Sequence, residues 1–153
     1  MAGTVVSVRY ASLDDLDAVA PLFDAYRVFY ELPSDLTLAR NYLAERLAKL
    51  QSVVLLAEID GQAAGFIQLY PGFCSLAAAP FWTLYDLFVA ETARGHGIAR
   101  LLMEKARQHG EATGAVRIDL STAHSNTTAQ ALYESLGYEM DQTYRYYSLP
   151  LTR

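Results

Sequence analysis

Two neighbouring runs of residues decide the fold of this chain: Leu84-Tyr85-Asp86-Leu87-Phe88-Val89 and Arg94-Gly95-His96-Gly97-Ile98-Ala99. The first run is apolar and aromatic, which predicts a strand, and the apolar residues after the second recur at helical spacing. A turn between a strand and a helix exposes the free N–H groups of the first helical turn and their partial positive charge. Because glycines let an anion approach the backbone closely, the sequence predicts an anion-binding turn.

The turn differs from two other phosphate-binding patterns. It lacks the Lys-Ser/Thr pair of a P-loop, and the chain contains no G-x-G-x-x-G sequence. It also lies past the middle of the 153-residue chain, so a dinucleotide-binding fold is not predicted. A glycine-rich helix entry that holds no ligand remains the alternative for this turn.

Hydrophobic periodicity and turn residues place the other elements around the turn. Ser12 is typical of a helix N-cap, Pro33 ends the helix that follows, and Ser34 caps a second helix. Asp60-Gly61 is a hairpin turn pair, and Pro71-Gly72 closes the next strand. The predicted strands cover residues 5–10, 53–59, 63–70, 82–89, 116–120 and 144–149, and the last helix covers residues 126–136. The order β-α-α-β-β-β-α-β-α-β predicts an α/β or α+β fold with a mixed sheet.

Composition indicates one globular domain over residues 1–153, with 52% hydrophobic and 19% charged residues. Cys74 is the only cysteine, which excludes a disulfide framework within the chain. No apolar run is long enough for a membrane span and no secretory signal is visible, so we expect a cytoplasmic protein. The net charge of -5 argues against nucleic acid as a partner; it fits a cationic substrate or a surface charged for solubility.

Several runs resemble the GNAT superfamily of N-acetyltransferases, in the right order and over nearly the whole chain. They are Asp86-Leu87-Phe88-Val89, Arg94 to Ala99 with Leu101 and Leu102, and Asn126, Ala129 and Leu132-Tyr133-Glu134-Ser135-Leu136-Gly137-Tyr138. The resemblance implies the GNAT fold, in which four helices flank a mixed, mostly antiparallel sheet of six to seven strands. It also implies an enzyme that uses acetyl-coenzyme A (acetyl-CoA), without a metal.

The resemblance assigns the acetyl-CoA site. Backbone amides of the turn would hold the pyrophosphate, and the strand before it would pair with the pantetheine where it splays from residues 116–120. A helix face would contribute Asn126, which bonds pantetheine or caps the helix with Ser125 as the rival cap. The implied cofactor-binding residues are Leu87, Phe88, Val89, Arg94, Gly95, His96, Gly97, Ile98, Ala99, Arg100, Asn126, Ala129 and Tyr133.

Two residues are the implied catalytic groups. By the resemblance, Tyr133 protonates the leaving thiolate of CoA; the alternative is a packing aromatic at the end of a helix. Asp86 is the candidate for the base or substrate anchor, because an alkyl amine must lose its proton before it attacks. Its alternative is a buried carboxylate that caps backbone N–H groups. Catalysis would be direct attack in a ternary complex, with a strand amide near Phe88 or Val89 holding the oxyanion.

The acceptor would be a primary amine of a small molecule, such as a polyamine or an amino acid, or a lysine side chain. Aromatic faces and carboxylates together attract a cation, although the same aromatics could be core. Gln68-Leu69-Tyr70-Pro71 resembles the yeast histone and polyamine acetyltransferase branch. The candidate substrate-binding residues are Phe29, Tyr30, Glu31, Tyr70, Phe73, Tyr85 and Asp86, with Asp35 nearby.

Other functions stay open. No pair of histidines has metal-ligand spacing, so no metal site is predicted. A module that binds acyl-CoA without turnover is the alternative to an enzyme. Residues 144–149 could pair across a homodimer, which the family resemblance also favours.

Overall fold

The computed structural model describes residues 3–152, and the chain divides into one compact unit that ends at Ser121 and a second that begins at Thr122. The ends of the predicted 1–153 domain, Met1, Ala2 and Arg153, lie outside the described residues. In chain order the elements are β1 Val6–Tyr10, α1 Leu16–Phe29, α2 Leu36–Ala48, β2 Val53–Ile59, β3 Gln62–Cys74, β4 Ala79–Val89, α3 Ile98–Ala112, β5 Ile118–Asp119 and, in the second unit, α4 Thr127–Ser135. The predicted order is confirmed as far as α4.

Within residues 3–152 the sheet contains five strands in the order β1-β2-β3-β4-β5. The first four strands pair antiparallel, and β4 pairs parallel with β5 through Trp82↔Ile118 and Thr83↔Asp119. The crossover through α3 makes this parallel pair possible. The mixed, mostly antiparallel sheet of the prediction is thereby confirmed.

The predicted count of six to seven strands is wrong, because residues 144–149 form no strand. Their sequence places Tyr146 and Tyr147 side by side, so it lacks the alternation that gives a strand one apolar face. Just before them, the Asp141 carboxylate accepts hydrogen bonds from the backbone N–H groups of Thr143 and Tyr144. Such local bonds compete with a strand ladder for the same backbone groups.

Local caps fix where the first two helices begin. Ser12 forms the predicted cap, as a capping box with Asp15 around a 3-10 turn that leads into α1. The predicted Ser34 cap of α2 is wrong. Asp35 is the N-cap, since its Oδ1 accepts from Leu38 N at 3.1 Å, while Ser34 Oγ donates to Asp24 Oδ2 at 2.6 Å.

Helices cover both faces of the sheet. On one face, α1 and α2 pack Val19, Phe23 and Leu43 against a core that includes Leu56 and Phe66 of β2 and β3. The strand residues that alternate with these point to the other face, where α3 buries its apolar stripe. The stripe consists of the buried residues Ile98, Leu102, Met103 and Ala106. Within residues 3–152, every helix falls short of the length and apolarity that crossing a bilayer requires.

β3 continues through Pro71-Gly72, which were predicted to end it, and reaches Cys74. β2 begins at Val53, opposite Leu69, so the last residues of β3 pair only with β4. Proline is tolerated where a strand is paired on one side. Glycine at position 72 leaves room for the Phe81 ring, because a Cβ there would lie 2.6 Å from the ring and would force it to move.

Candidate active site

The turn between β4 and α3 has the backbone shape that its glycines permit. Gly95 has φ +84° and Gly97 has φ +73°, in the left-handed region that residues with a Cβ rarely adopt. An added Cβ at either position would meet nothing within 4 Å, so conformation rather than space requires glycine. α3 begins directly after Gly97, with Ile98 buried beneath it.

The start of α3 presents backbone donors. The N–H of Leu101 donates to Gly97 O at 3.1 Å, in the first turn of the helix. This end of α3 also carries the partial positive charge of the helix dipole, which attracts an anion. The ring of His96 stabilises the turn, since its Nδ1 lies 3.1 Å from the carbonyl oxygen of Ala93 and 3.2 Å from that of Arg94.

One edge of β4 is open next to this turn. Leu87, Phe88 and Val89 pair with β3 on one side, whereas the described pairing with β5 ends at Thr83. Arg94 folds back on this stretch: its Nε donates to Val89 O at 3.1 Å and its guanidinium lies 5.7 Å from the Phe88 ring centre. An unpaired strand edge of this kind can accept an extended ligand through main-chain hydrogen bonds.

A β-bulge interrupts β4 just before the open edge. Gln68 pairs with Asp86 and Leu69 pairs with Leu84, which leaves Tyr85 as an extra residue. Tyr26 of α1 donates its hydroxyl to the Tyr85 carbonyl oxygen at 3.2 Å. Alternation in the sequence could not show this bulge, because no glycine or proline marks it.

Asp86 is buried, with 3% of its surface exposed. Gln68 Nε2 donates to its Oδ2 at 2.7 Å, and Ser52 Oγ donates to Gln68 Oε1 at 2.8 Å. Burial raises the pKa of the Asp86 carboxyl above its usual value, and the hydrogen bond from Gln68, together with the nearby Tyr26 hydroxyl, opposes part of that rise. The Asp86 carboxylate thus accepts from the Gln68 side chain, unlike the backbone-capping alternative.

Tyrosines surround Asp86 on the face covered by α1 and α2. The hydroxyls of Tyr42 and Tyr70 are 2.7 Å apart, and the ring centres of Tyr70 and Tyr85 are 5.7 Å apart. Burial, and the charge of Asp86, raise the pKa values of Tyr26 and Tyr70, so both stay neutral phenols at physiological pH. Sequence reasoning missed Tyr26, Tyr42, Gln68 and Ser52. Tyr26 carried a signal, because it lies one helical turn before Tyr30. Gln68 stood in the run Gln68-Leu69-Tyr70-Pro71 quoted for the family resemblance, but it was given no role.

The structure brings together part of the predicted acceptor set. Tyr70 and Tyr85 lie beside Asp86. Tyr30 packs on Tyr26, with their ring centres 5.1 Å apart. Phe29 packs on Tyr30 at 5.3 Å.

The remaining acceptor candidates lie elsewhere. Glu31 follows α1 with φ +65° and is exposed. Phe73 is 85% exposed near the end of the β3–β4 hairpin, and strand alternation directs it to the face opposite Tyr70. Asp35 caps α2.

The second unit holds the other predicted residues on α4. Asn126 is the N-cap, since its Oδ1 accepts from Ala129 N at 3.2 Å, which decides between it and Ser125. Tyr133 lies two turns further, and its ring centre is 6.1 Å from that of Tyr138. Gly137, with φ +95°, ends the helix as predicted.

A sequence model of the Acetyltransferase (GNAT) family matches residues 16–138. This chain belongs to the GNAT acetyltransferase family. It is 41% identical, over 94% of its length and 97% of the relative's, to the Uncharacterized N-acetyltransferase YhfO of Bacillus subtilis. The resemblance stated from the sequence is confirmed, and the chain is an acyltransferase of the GNAT type.

Solved structures agree with this family. The crystal structure of a probable acetyltransferase, 41% identical, superposes with a TM-score of 0.92 over 96% of this acetyltransferase and 99% of that chain. An aminoglycoside N-acetyltransferase in complex with CoA superposes with a TM-score of 0.78 at 21% identity, over 98% of each chain. The second likeness concerns the fold alone.

Proposed function

We propose that this acetyltransferase transfers the acetyl group of acetyl-CoA to a primary amine of a small molecule. The observation that carries the proposal is Asp86, a buried carboxylate among tyrosines on the strand whose open edge adjoins the anion-binding turn. A carboxylate beside aromatic faces attracts an ammonium group. A polyamine and an amino acid are the acceptor classes that this chemistry favours.

The turn and the open edge of β4 fit the donor. The partial positive charge at the start of α3 suits a pyrophosphate, and the turn is open at both left-handed glycines, where an added Cβ would meet nothing within 4 Å. The edge at Leu87, Phe88 and Val89 offers main-chain groups to an extended pantetheine. The fold neighbour solved with CoA supports this assignment. The family resemblance implies that Asn126 also bonds pantetheine; its Oδ1 accepts the cap hydrogen bond from Ala129 N, so its carboxamide NH₂ would be the donor.

Asp86 would remove the proton that blocks the acceptor. An alkyl amine with a pKa near ~10.4 costs roughly 4–5 kcal/mol to deprotonate at neutral pH. Because burial raises the pKa of Asp86, the carboxylate is a stronger base than an exposed aspartate. A base on the reacting strand, acting directly or through a water, offsets part of that cost.

The transfer would be a direct attack in a ternary complex. The amine nitrogen bonds to the acetyl carbon, the carbon–sulfur bond breaks, and the thiolate leaves with the electron pair. A backbone N–H near Phe88 or Val89 would stabilise the oxyanion. Tyr133 is the proposed acid that protonates the thiolate, a role taken from the family resemblance.

Steady-state release of CoA thiol tests the function. Acetyl-CoA is supplied with a panel of polyamines, amino acids and lysine-containing peptides, and we expect acceptor-dependent release with at least one small amine. Release with peptides alone would contradict the small-molecule acceptor. Thermal stabilisation by acetyl-CoA without release from any amine would instead identify a module that binds acyl-CoA without turnover.

The homodimer and the cytoplasmic location stay predictions. Light scattering of the purified chain measures its mass, and a mass of about 17 kDa would contradict the homodimer, because one chain has a mass of 16.9 kDa.

A further inference from the structure

Gln68 is a polar residue at the centre of an apolar strand. It has no exposed surface, and its chain neighbours Ile67 and Leu69 are equally buried. Burying a carboxamide costs free energy that its hydrogen bonds at best recover, whereas an apolar side chain of similar size has no such cost. Packing of the core therefore gives no reason for glutamine at this position.

The hydrogen bonds of Gln68 run in one direction, from Ser52 to Asp86. Ser52 Oγ donates to Gln68 Oε1 at 2.8 Å, and Gln68 Nε2 donates to Asp86 Oδ2 at 2.7 Å. All three residues are at least nine-tenths buried, with 7%, 0% and 3% of their surfaces exposed. Because an ionised carboxylate only accepts, it selects the N–H end of the carboxamide, and Ser52 satisfies the oxygen at the other end.

We propose that Gln68, held by Ser52, is a positioning residue for the transfer: it keeps the Asp86 carboxylate in one orientation and stabilises its charge. The inference rests on the proposed role of Asp86. Gln68 engages the Oδ2 of the carboxylate, and the Tyr26 hydroxyl lies nearby on the face covered by α1 and α2. The base then meets the acceptor in a fixed geometry, which matters because catalysis depends on near-attack positioning.

Within residues 3–152 no cation contacts Asp86. Tyr26 faces it from α1 and Tyr70 from β3, and Tyr42 and Arg46 of α2 lie beyond Tyr70. Burial is the largest influence on the pKa of Asp86 and raises it, and the Gln68 hydrogen bond is the largest one that lowers it. Without that bond the carboxyl would hold its proton to higher pH, where it cannot act as a base.

Three variants separate this role from packing. Gln68→Met keeps the length of the side chain but has no N–H donor, and Ser52→Ala removes the group that holds the carboxamide. Gln62→Met is the matched control, because Gln62 begins the same strand and is exposed.

Two readouts are compared. One is a carbon NMR titration of the Asp86 carboxyl in the ligand-free protein, assigned with Asp86→Asn. The other is the acid limb of the pH profile of kcat/KM, with an amine from the panel.

We expect the NMR midpoint and the acid limb to move together to higher pH, by about one unit in Gln68→Met and by less in Ser52→Ala. Gln62→Met should match the unmodified chain in both. A purely structural role would lower kcat at every pH and leave the limb in place. That result, or an NMR titration that does not move, overturns the proposal.

The NMR titration needs no turnover, so it separates this inference from the proposed function. If Asp86→Asn left the activity unchanged, Asp86 would not be the base, and the positioning role of Gln68 would be overturned with it. In that case Gln68→Met would still move the NMR midpoint of Asp86, which shows that the proposed function failed and not the Gln68–Asp86 interaction.

Discussion

The burial and the basicity of Asp86 follow from its position on β4. Its neighbour Tyr85 is displaced by the bulge, while Asp86 itself points into the face covered by α1 and α2. Burial there makes the charged carboxylate costly, and a costly carboxylate is also a stronger base. Activity and stability should therefore oppose each other at this residue.

Asp86→Asn should lower kcat/KM by at least about 100-fold, the usual effect of losing a general base. The same change should raise the midpoint of thermal unfolding at pH 7.5. The folded-state pKa of Asp86 lies above its unfolded value, so its charge destabilises the folded state as pH rises through that interval. Asp14→Asn, at an exposed site, is the control. A lower unfolding midpoint for Asp86→Asn would contradict the destabilising carboxylate.

Tyr133→Phe removes one hydroxyl from α4 and should lower kcat by about 100-fold or more, while KM for acetyl-CoA stays within about twofold. The reason is that a proton donor to the leaving thiolate acts only in the transition state. Tyr147→Phe makes the same change elsewhere in the second unit and should leave kcat intact. Steady-state kinetics with saturating acceptor measure both, and an unchanged kcat for Tyr133→Phe would remove it from the mechanism.

At the scale of elements, the turn and α3 act as one device. The left-handed glycines turn the chain from the end of β4 into the helix, and the positive end of the helix dipole lies at that point. The sequence predicted this device because each part is local: a strand pattern, two glycines and a helical stripe. β2 was predicted to the residue for the same reason, since Asp60-Gly61, both with positive φ, fixes its end.

Gly97→Ala should raise KM for acetyl-CoA roughly tenfold and destabilise the chain by about 1–2 kcal/mol, the cost of a left-handed alanine. Gly61→Ala provides the matched control, because Gly61 has φ +79° with open space around it but lies in the β2–β3 hairpin. Both variants should lose similar stability in thermal unfolding. If Gly61→Ala raised KM for acetyl-CoA as much, general strain and not the turn would explain the effect.

At the scale of the whole molecule, His109 links α3 to the far edge of the sheet. Its Nδ1 lies 2.7 Å from the Tyr10 hydroxyl of β1, and its ring packs 4.6 Å from that of Trp82 on β4. Within residues 3–152, its Nε2 is buried without a hydrogen-bond partner. Burial lowers the pKa of His109, because the charged ring would lose most of its hydration there.

Stability should consequently fall as the pH drops below about 6.5, the unfolded histidine value, toward the lower folded-state pKa of His109. In that window the unfolded chain binds the proton more readily than the folded one does. Thermal unfolding at pH 7.5 and 5.5 should show a smaller difference for His109→Gln than for the unmodified chain. His124→Gln, at a loop histidine, should keep the full difference in unfolding midpoint between the two pH values. If both variants reduced that difference equally, His109 would not be the group that causes the pH dependence.

The sequence by itself determined the features that rest on neighbouring residues. The strand–turn–helix around Arg94 to Ala99, the Ser12 cap, the hairpin at Asp60-Gly61 and the helix stop at Gly137 depend on local φ, ψ and capping chemistry. It also contained the order of elements and the family resemblance. Ser34 misled the prediction because Asp35, one residue later, is an equally good cap whose side chain reaches Leu38.

Only the tertiary structure decided what depends on residues far apart in the chain. The bulge at Tyr85 arises from the register between β3 and β4, and the Ser52–Gln68–Asp86 chain of hydrogen bonds joins three strand regions 16 and 18 residues apart. Likewise, β3 can continue through Pro71 because the described pairing with β2 ends at Leu69, so one side of the strand beyond that residue needs no backbone donor. Periodicity reports which side of an element is apolar, whereas register and long-range hydrogen bonds are set by which elements meet, so the environment of Asp86 became visible only in the fold.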